Sequence, residues 1–415
     1  MTVHEDVAVT APMLTPTRDS VGTSWLPEVT PMYGLHRAWR GWDVRLDGLV
    51  FVQAIYEPRE RHRTGGVATR QASSVNWLMV GARRTVAAGG RVGMRAMLSA
   101  DALTMSDCGA IGFLATGEVC EGDTVHDRQQ PHDLFMELAA DIEHPLRGSW
   151  NWQLYAGLAG DPALGPPGYQ HRASAMSNPV APVAHHWLDS TQVTFGVVTV
   201  AVHNRRWKAE SSFFKGRSPD ERRTDLDLGA FDSASARLSF LPSPHWALQV
   251  SAARLRDVST DFPLRSPQRL TRVTASAIRH VTVGGGGLWA TTVAMGVNRA
   301  TEVATSGLLG ATTAAALLES SVSWSRRHTA FFRAEVADMP AHHLHAHEYG
   351  TSALPVWKVQ IGYSHQLRTS GAIVPGIGGS AALSVLPPEL APRYYGRIAP
   401  SVGVFFTLQP ARHQM

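Results

Sequence analysis

Lysine and cysteine are scarce in this 415-residue chain, and long hydrophobic runs are missing altogether. Without an uninterrupted apolar run near eighteen residues, a helical membrane span is excluded. Cys108 and Cys120 are the only cysteines, too few for a disulfide-built scaffold. They close a segment of about 13 residues that an oxidising compartment would bridge; free thiols and metal ligation are the other two readings. Only Lys208, Lys215 and Lys358 are lysines, so arginine carries the formal charge of +4. Arginine on outer loops could hold lipopolysaccharide phosphates bidentately, although a genomic bias toward arginine codons gives the same composition. No basic helix, stacking platform or finger spacing is present, so nucleic acid is not an expected partner. Residues 1–20 are polar, with Glu5 and Asp6 and no apolar stretch, so an exported chain would need a signal removed or lying upstream.

What the chain does contain is alternation. Across residues 42–54, Trp42, Val44, Leu46, Gly48, Val50, Val52 and Ala54 share one face, while Asp43, Arg45 and Asp47 share the other. The same period of two separates Leu134, Met136, Leu138, Ala140 and Ile142 from Asp133, Glu137 and Asp141. It recurs across residues 234–240 and 246–252, and again where Trp357, Val359, Ile361 and Tyr363 oppose Lys358, Gln360 and Ser364. Roughly sixteen such segments begin near Trp42, Val75, Arg91, His132, Trp150, Thr191, Arg206, Phe231, Trp246, Leu270, Leu288, Thr312, His328, Pro355, Ala372 and Gly396.

The gaps between segments alternate in length. Tight turns at residues 87–90, 147–149, 204–205, 243–245, 284–287, 326–327 and 369–371 alternate with connections of about 10 to 30 residues. A soluble sandwich or propeller has no reason to keep this alternation. Trp150, Trp207, Trp246, Trp289 and Trp324 all fall beside short turns, where an interfacial aromatic girdle would lie. The expected fold is an all-β, transmembrane, antiparallel up-and-down barrel of about 16 strands, with short periplasmic turns and long extracellular loops. Residues 42–410 would form it, preceded by a periplasmic or plug-like segment (1–41) and followed by a short tail (411–415).

The wet faces nominate a lumen lining of mixed sign: Asp43, Arg45, Asp47, Glu137, Asp141, Lys208, Glu210, Arg237, Arg333, Glu335 and Lys358. Such a set suits a water-filled interior or salt-bridge ladders that brace the wall. Two connections, residues 101–131 and 161–190, are long enough to fold into the lumen as a constriction. Histidines concentrate in the long connections. His126 and His132 accompany the first, and His171, Met176, His185, His186 and Asp189 the second. A third holds His342, His343, His345, His347 and Glu348. In an extended segment His343, His345 and His347 would point one way and could share Cu²⁺, Zn²⁺ or Ni²⁺, whereas His185 and His186 would point apart. A solvated polar loop is the plainer account. His186, Asp189 and Ser190 raise a hydrolase, but adjacent triad residues rarely attain triad geometry and no G-x-S-x-G elbow is present.

Three blocks carry a resemblance: GTSWLPEVTPMYG (residues 22–34), HDRQQPHDLFMELA (126–139) and DPALGPPGYQHRASAMSNPVAPVAHHWLDSTQVTFGVVT (161–199). They resemble signature blocks of an uncharacterised family of predicted bacterial outer-membrane β-barrel proteins. The resemblance implies location and a porin-like fold, without a substrate. Members often read Gln-His-Pro-His where this chain has Gln129, Gln130, Pro131 and His132, and the missing imidazole weakens any metal site there. The first block is sticky enough, through Trp25 and Tyr33, to be expected back inside the barrel against the long loops. The functional expectation is a non-catalytic, porin-like channel for small solutes, with transition-metal handling as a refinement. A non-conducting structural or adhesive barrel and an outer-membrane hydrolase are the alternatives.

Overall fold

A computed structural model describes residues 18–31, 34–57, 70–105, 108–120, 123–256, 269–302, 312–325, 327–344, 346–349, 352–369, 371–394 and 396–411. Sixteen antiparallel strands close into a barrel. Strand β1 (Leu35–Trp39) lies outside that count. The wall runs β2 (Trp42–Tyr56), β3 (Arg70–Thr85), β4 (Arg91–Leu98), then β7 (Phe135–Pro145) and β8 (Asn151–Gly160). It continues through β9 (Thr194–His203), β10 (Trp207–Phe214), β11 (Ser233–Phe240), β12 (Trp246–Arg256), β13 (Arg269–Val283) and β14 (Gly287–Glu302). Strands β15 (Thr312–Trp324), β16 (His328–Pro340), β17 (Ala353–Gln366), β18 (Ile373–Val385) and β19 (Ile398–Pro410) complete it. Every wall strand pairs with its sequence neighbour except β4, which pairs with β7 across a loop hairpin formed by β5 (Ala110–Cys120) and β6 (Asp123–Gln129).

The seam between first and last wall strands shows how the edge is removed. Strand β19 pairs with the second half of β2, from Leu408↔Val50 to Val402↔Tyr56. Strand β1 pairs with the first half, from Leu35↔Leu46 to Trp39↔Trp42, so the backbone groups left by β19 are taken up. The reversal from β1 to β2 needs two left-handed residues, Arg40 (φ 49°) and Gly41 (φ 82°), which matches the twist of a tight hairpin.

Alternation becomes inside and outside. On β12, Val250 faces out at 54% exposure while its neighbours Gln249 and Ser251 are buried. Val52, Val200, Val293, Ile361, Ile377, Val402 and Val404 likewise present aliphatic surface outward. A soluble protein would bury that belt, and a bilayer covers it. Trp150, Trp207, Trp246, Trp289 and Trp324 lie at the short-turn end with 37% to 43% of their surface exposed. Tyr56, Phe213 and Trp357 are exposed toward the long-loop end. The two aromatic sets bracket the aliphatic belt as interfacial girdles. Short turns at one end and long loops at the other are the pattern of outer-membrane barrels, in which the short turns face the periplasm.

Candidate functional site: the lumen and its constriction

Residues 161–193, between β8 and β9, fold inward. Pro162, Pro166, Pro167, Pro179 and Pro182 remove amide donors and fix φ, so this stretch cannot extend the wall. A buried irregular loop must find partners for its remaining backbone groups, and here the wall supplies them. Ser212 Oγ accepts from Ala163 N (2.8 Å), Ser251 Oγ from Gly165 N (2.9 Å) and Glu335 Oε2 from Ala184 N (3.0 Å). Its carbonyls are met in turn: Ser321 Oγ donates to Ala173 O (2.8 Å), Arg333 Nη1 to Val180 O (2.7 Å) and Asn298 Nδ2 to His186 O (3.1 Å). The wall contacts run from β10 to β17, where Gln360 Oε1 accepts from Asn178 Nδ2 at 2.8 Å.

At the centre of this contact lies Arg172, fully buried. It donates to Glu319 on β15 (3.0 and 3.2 Å) and to Pro167 O (2.8 Å), and it pairs with Asp189. Glu319 also accepts from Arg333 Nε at 3.0 Å. Burial pushes the Asp189 carboxyl up, but Arg172 and then His185 outweigh it and hold it at about 2. Asp161 is not balanced in this way. Burial raises its carboxyl well above the ordinary range, with Arg237 opposing and Glu137, Asp189 and Glu210 reinforcing the rise.

The segment 18–31 returns into the lumen from the short-turn end. Val29 N donates to Pro244 O (3.1 Å) in the turn between β11 and β12, and Thr30 Oγ1 lies 2.8 Å from His280 Nδ1. Deeper in, Lys208 Nζ donates to Thr23 O (2.8 Å), and Arg237 donates to Ser24 Oγ (2.8 Å) and Thr23 Oγ1 (3.1 Å). Gly22 N donates to Glu137 Oε1 at 3.2 Å. Gly22 has φ 56°, and a Cβ there would stand 2.6 Å from the Asp161 carbonyl oxygen. The first resemblance block thus touches the inward loop directly.

Two cavities lie on either side of the inward loop. The outer, about 80 Å³, is bordered by His132, Asp133, Tyr169, His185, His186 and Gln192. The inner, about 90 Å³, is bordered by Arg45, Trp77, Met79, Gln170, His171 and Met176, and closed by segment 18–31. His132 on the outer border meets Gln170 on the inner one. Gln170 Nε2 donates to His132 Nε2 (2.7 Å), which leaves His132 Nδ1–H to donate to Asp101 Oδ2 (2.6 Å). Gln129 Nε2 donates to Tyr169 OH at 3.2 Å beside them. Burial lifts the Asp133 carboxyl to about 6 against the pull of Arg223 and His132. Burial drops the His171 imidazole to about 3, with Arg45, His132 and Arg95 adding to the fall.

The expected lumen residues divide into roles. Glu210, Lys208 and Arg237 form one buried group, with Arg237 Nε donating to Glu210 Oε2 at 2.8 Å and Lys208 Nζ 3.2 Å from the same carboxylate. Glu137 takes Tyr155 OH at 2.8 Å and Arg95 at 3.1 Å. Arg45 and Asp47 pair at 3.6 Å, Arg333 and Glu335 bind the inward loop, and Lys358 is buried nearby. Asp43 and Asp141 are half-buried at the short-turn end. Sequence reasoning missed Arg172 and Glu319. Glu319 is the only charged residue of β15, and a lone carboxylate on the inward phase of an apolar strand is the signal that marks it.

The histidines scatter. His132, His185 and His186 share the outer cavity, and His171 lies on the inner side. The expectation that His185 and His186 point apart on an extended segment is corrected: they begin a single helical turn (His185–Leu188), with ring centroids 5.5 Å apart. The extended geometry expected for His343, His345 and His347 is corrected too, because the backbone coils into 3-10 turns at Ala341–Leu344 and His347–Tyr349. The side chains of those three and of His126 lie outside the described residues. Among the described residues no three His, Cys, Asp or Glu side chains are grouped to hold a metal ion. The hydrolase triad is not assembled: Asp189 Oδ1 pairs with His185 Nδ1 (2.7 Å), and Ser190 Oγ accepts from Arg272. Cys108 is disulfide-bonded, and the only other cysteine is Cys120.

No protein-family model and no curated protein matches the sequence. Solved structures do. The outer-membrane channel DcaP of Acinetobacter baumannii is 9% identical, with a TM-score of 0.51, covering 91% of this chain and 100% of that one. OprB of Pseudomonas putida is 10% identical, with a TM-score of 0.50, covering 89% and 94%. The chain is an outer-membrane β-barrel of porin architecture. At such identities the likeness speaks for the fold, and the contents of the lumen are this chain's own.

Proposed function

We propose that the protein is a narrow channel for small solutes, constricted by residues 161–193 and by the returning segment 18–31. The observation that carries this reading is the pair of cavities back to back across the Gln170–His132 contact. Beside the backbone of the inward loop, the Gln170–His132 side-chain hydrogen bond lies between them, a contact worth about 1 kcal/mol net. Rotamer changes, without unfolding of the loop, would join the cavities. Selectivity then follows from width and from a lining in which arginines and carboxylates alternate. No reacting constellation is assembled among the described residues, and catalysis has no part in the reading.

Liposome swelling with solutes of graded size tests it. Uptake of small solutes is expected, with a steep fall as size increases and a relaxed cut-off for Gln170→Ala. Correctly folded protein that admits none of them would sink the channel and leave a plugged structural barrel.

A further inference from the structure

The inner cavity has a chemistry that conduction does not use. Each carboxylate on its border is engaged by arginine: Asp19 with Arg83 (3.1 Å), Glu28 with Arg18 (3.1 Å) and Asp47 with Arg45 (3.6 Å). A hard divalent cation wants several oxygen ligands and would have to break those pairs. One hard donor without a partner remains on the border, the buried Gln170 Oε1, and the other donors considered are soft. They are the thioethers of Met79 and Met176 and the imidazole of His171, whose buried Nε2 has no hydrogen-bond partner. The Trp77 indole borders the same space, its ring centroid 4.6 Å from that of His171.

We propose that this cavity binds one soft monovalent cation, Cu(I) or Ag(I), through His171 Nε2 and the Met79 and Met176 thioethers, beside the Trp77 ring. Thioether and imidazole ligands select such ions over hard ones. All three are uncharged donors, so the bound ion keeps its positive charge, and the face of an indole attracts it. Three elements converge here: β3 brings Met79 and Trp77, the inward loop brings His171 and Met176, and segment 18–31 closes the space. The site does not depend on whether the barrel conducts.

The test uses the full chain folded in detergent, carrying His343→Ala, His345→Ala and His347→Ala to remove a competing histidine loop. Ag(I) is titrated directly, and Cu(I) against a chromophoric competitor, with Zn(II) as the hard comparator. One Ag(I) or Cu(I) per barrel is expected. Affinity should fall at least tenfold in Met79→Leu/Met176→Leu and in His171→Ala, with Zn(II) binding unaffected by either variant. A Trp77→Phe variant should bind Ag(I) but lose part of the fluorescence quenching. The heat-modifiable electrophoretic shift of a folded barrel controls for folding. Absence of stoichiometric Ag(I) binding overturns the proposal. So does unchanged affinity in the folded leucine variant, or Met176→Leu alone if the double variant fails to fold.

Discussion

Arg172 and Glu319 join the inward loop to the wall through two parallel hydrogen bonds of 3.0 and 3.2 Å, with both side chains withdrawn from water. Asp189 completes the charge balance on the loop side and Arg333 on the wall side. Two cations and two anions make a neutral buried group, which is the condition for tolerating charges at such depth.

Removing one member leaves its partners buried and uncompensated. Glu319→Ala should therefore cost about 3–5 kcal/mol of loop attachment. Glu319→Gln keeps the shape and should cost less. Amide exchange across residues 161–193 should rise by orders of magnitude in Glu319→Ala, while the strands β12 to β14 stay protected. Unchanged loop exchange would show that the attachment lies elsewhere.

The same group carries an acid sensitivity. Asp189 is held at about 2 against an ordinary value of 3.8, so its contribution is complete above pH ~4 and is lost as pH falls toward 2. Fluorescence of the neighbouring Trp187 should report loop release in that window. Asp189→Asn should flatten the transition, because the titrating group is gone.

Gly22 tests the returning segment. A side chain there meets the Asp161 carbonyl at 2.6 Å and must also adopt φ 56°, which alone costs roughly 1–2 kcal/mol. Gly22→Val should expose residues 18–31 to protease from the periplasmic side and leave the barrel intact. Protection equal to wild type would count against close packing of this segment on the loop.

The bridged Cys108 lies just before the hairpin strand β5, outside the strand pairings of the wall. Reduction should remove about 3 kcal/mol of loop restraint, with faster exchange confined to residues 108–129 and no change in the melting of the barrel. A lowered barrel transition would mean the hairpin braces the wall.

The barrel was legible because its physics is periodic. Strand starts expected near Trp42, Arg91, Trp246, Thr312 and His328 coincide with the observed ones, since bilayer on one side and polar lumen on the other impose strict alternation. Strand β1 escaped notice because Leu35–Trp39 is short and irregular in polarity, although the following Arg40–Gly41 pair is a hairpin signal. Charges on the inward phase of clearly alternating strands, such as Glu210 and Arg237, could be read from the sequence, whereas Glu319 on the inward phase of β15 was passed over. What alternation could not supply was the interior of the proline-rich loop. Its conformation follows from tertiary partners such as Ser212, Ser251 and Glu319, contributed by strands far away in sequence. The coiled geometry at His185 and His347 escaped for a related reason, because loops have no period to read.

Single-channel recording in planar bilayers tests the central claim most directly. Wild-type protein should give small, uniform unit steps, and Glu319→Ala should give larger ones as residues 161–193 leave the lumen. Folded wild-type and variant barrels that both stay silent would contradict the account.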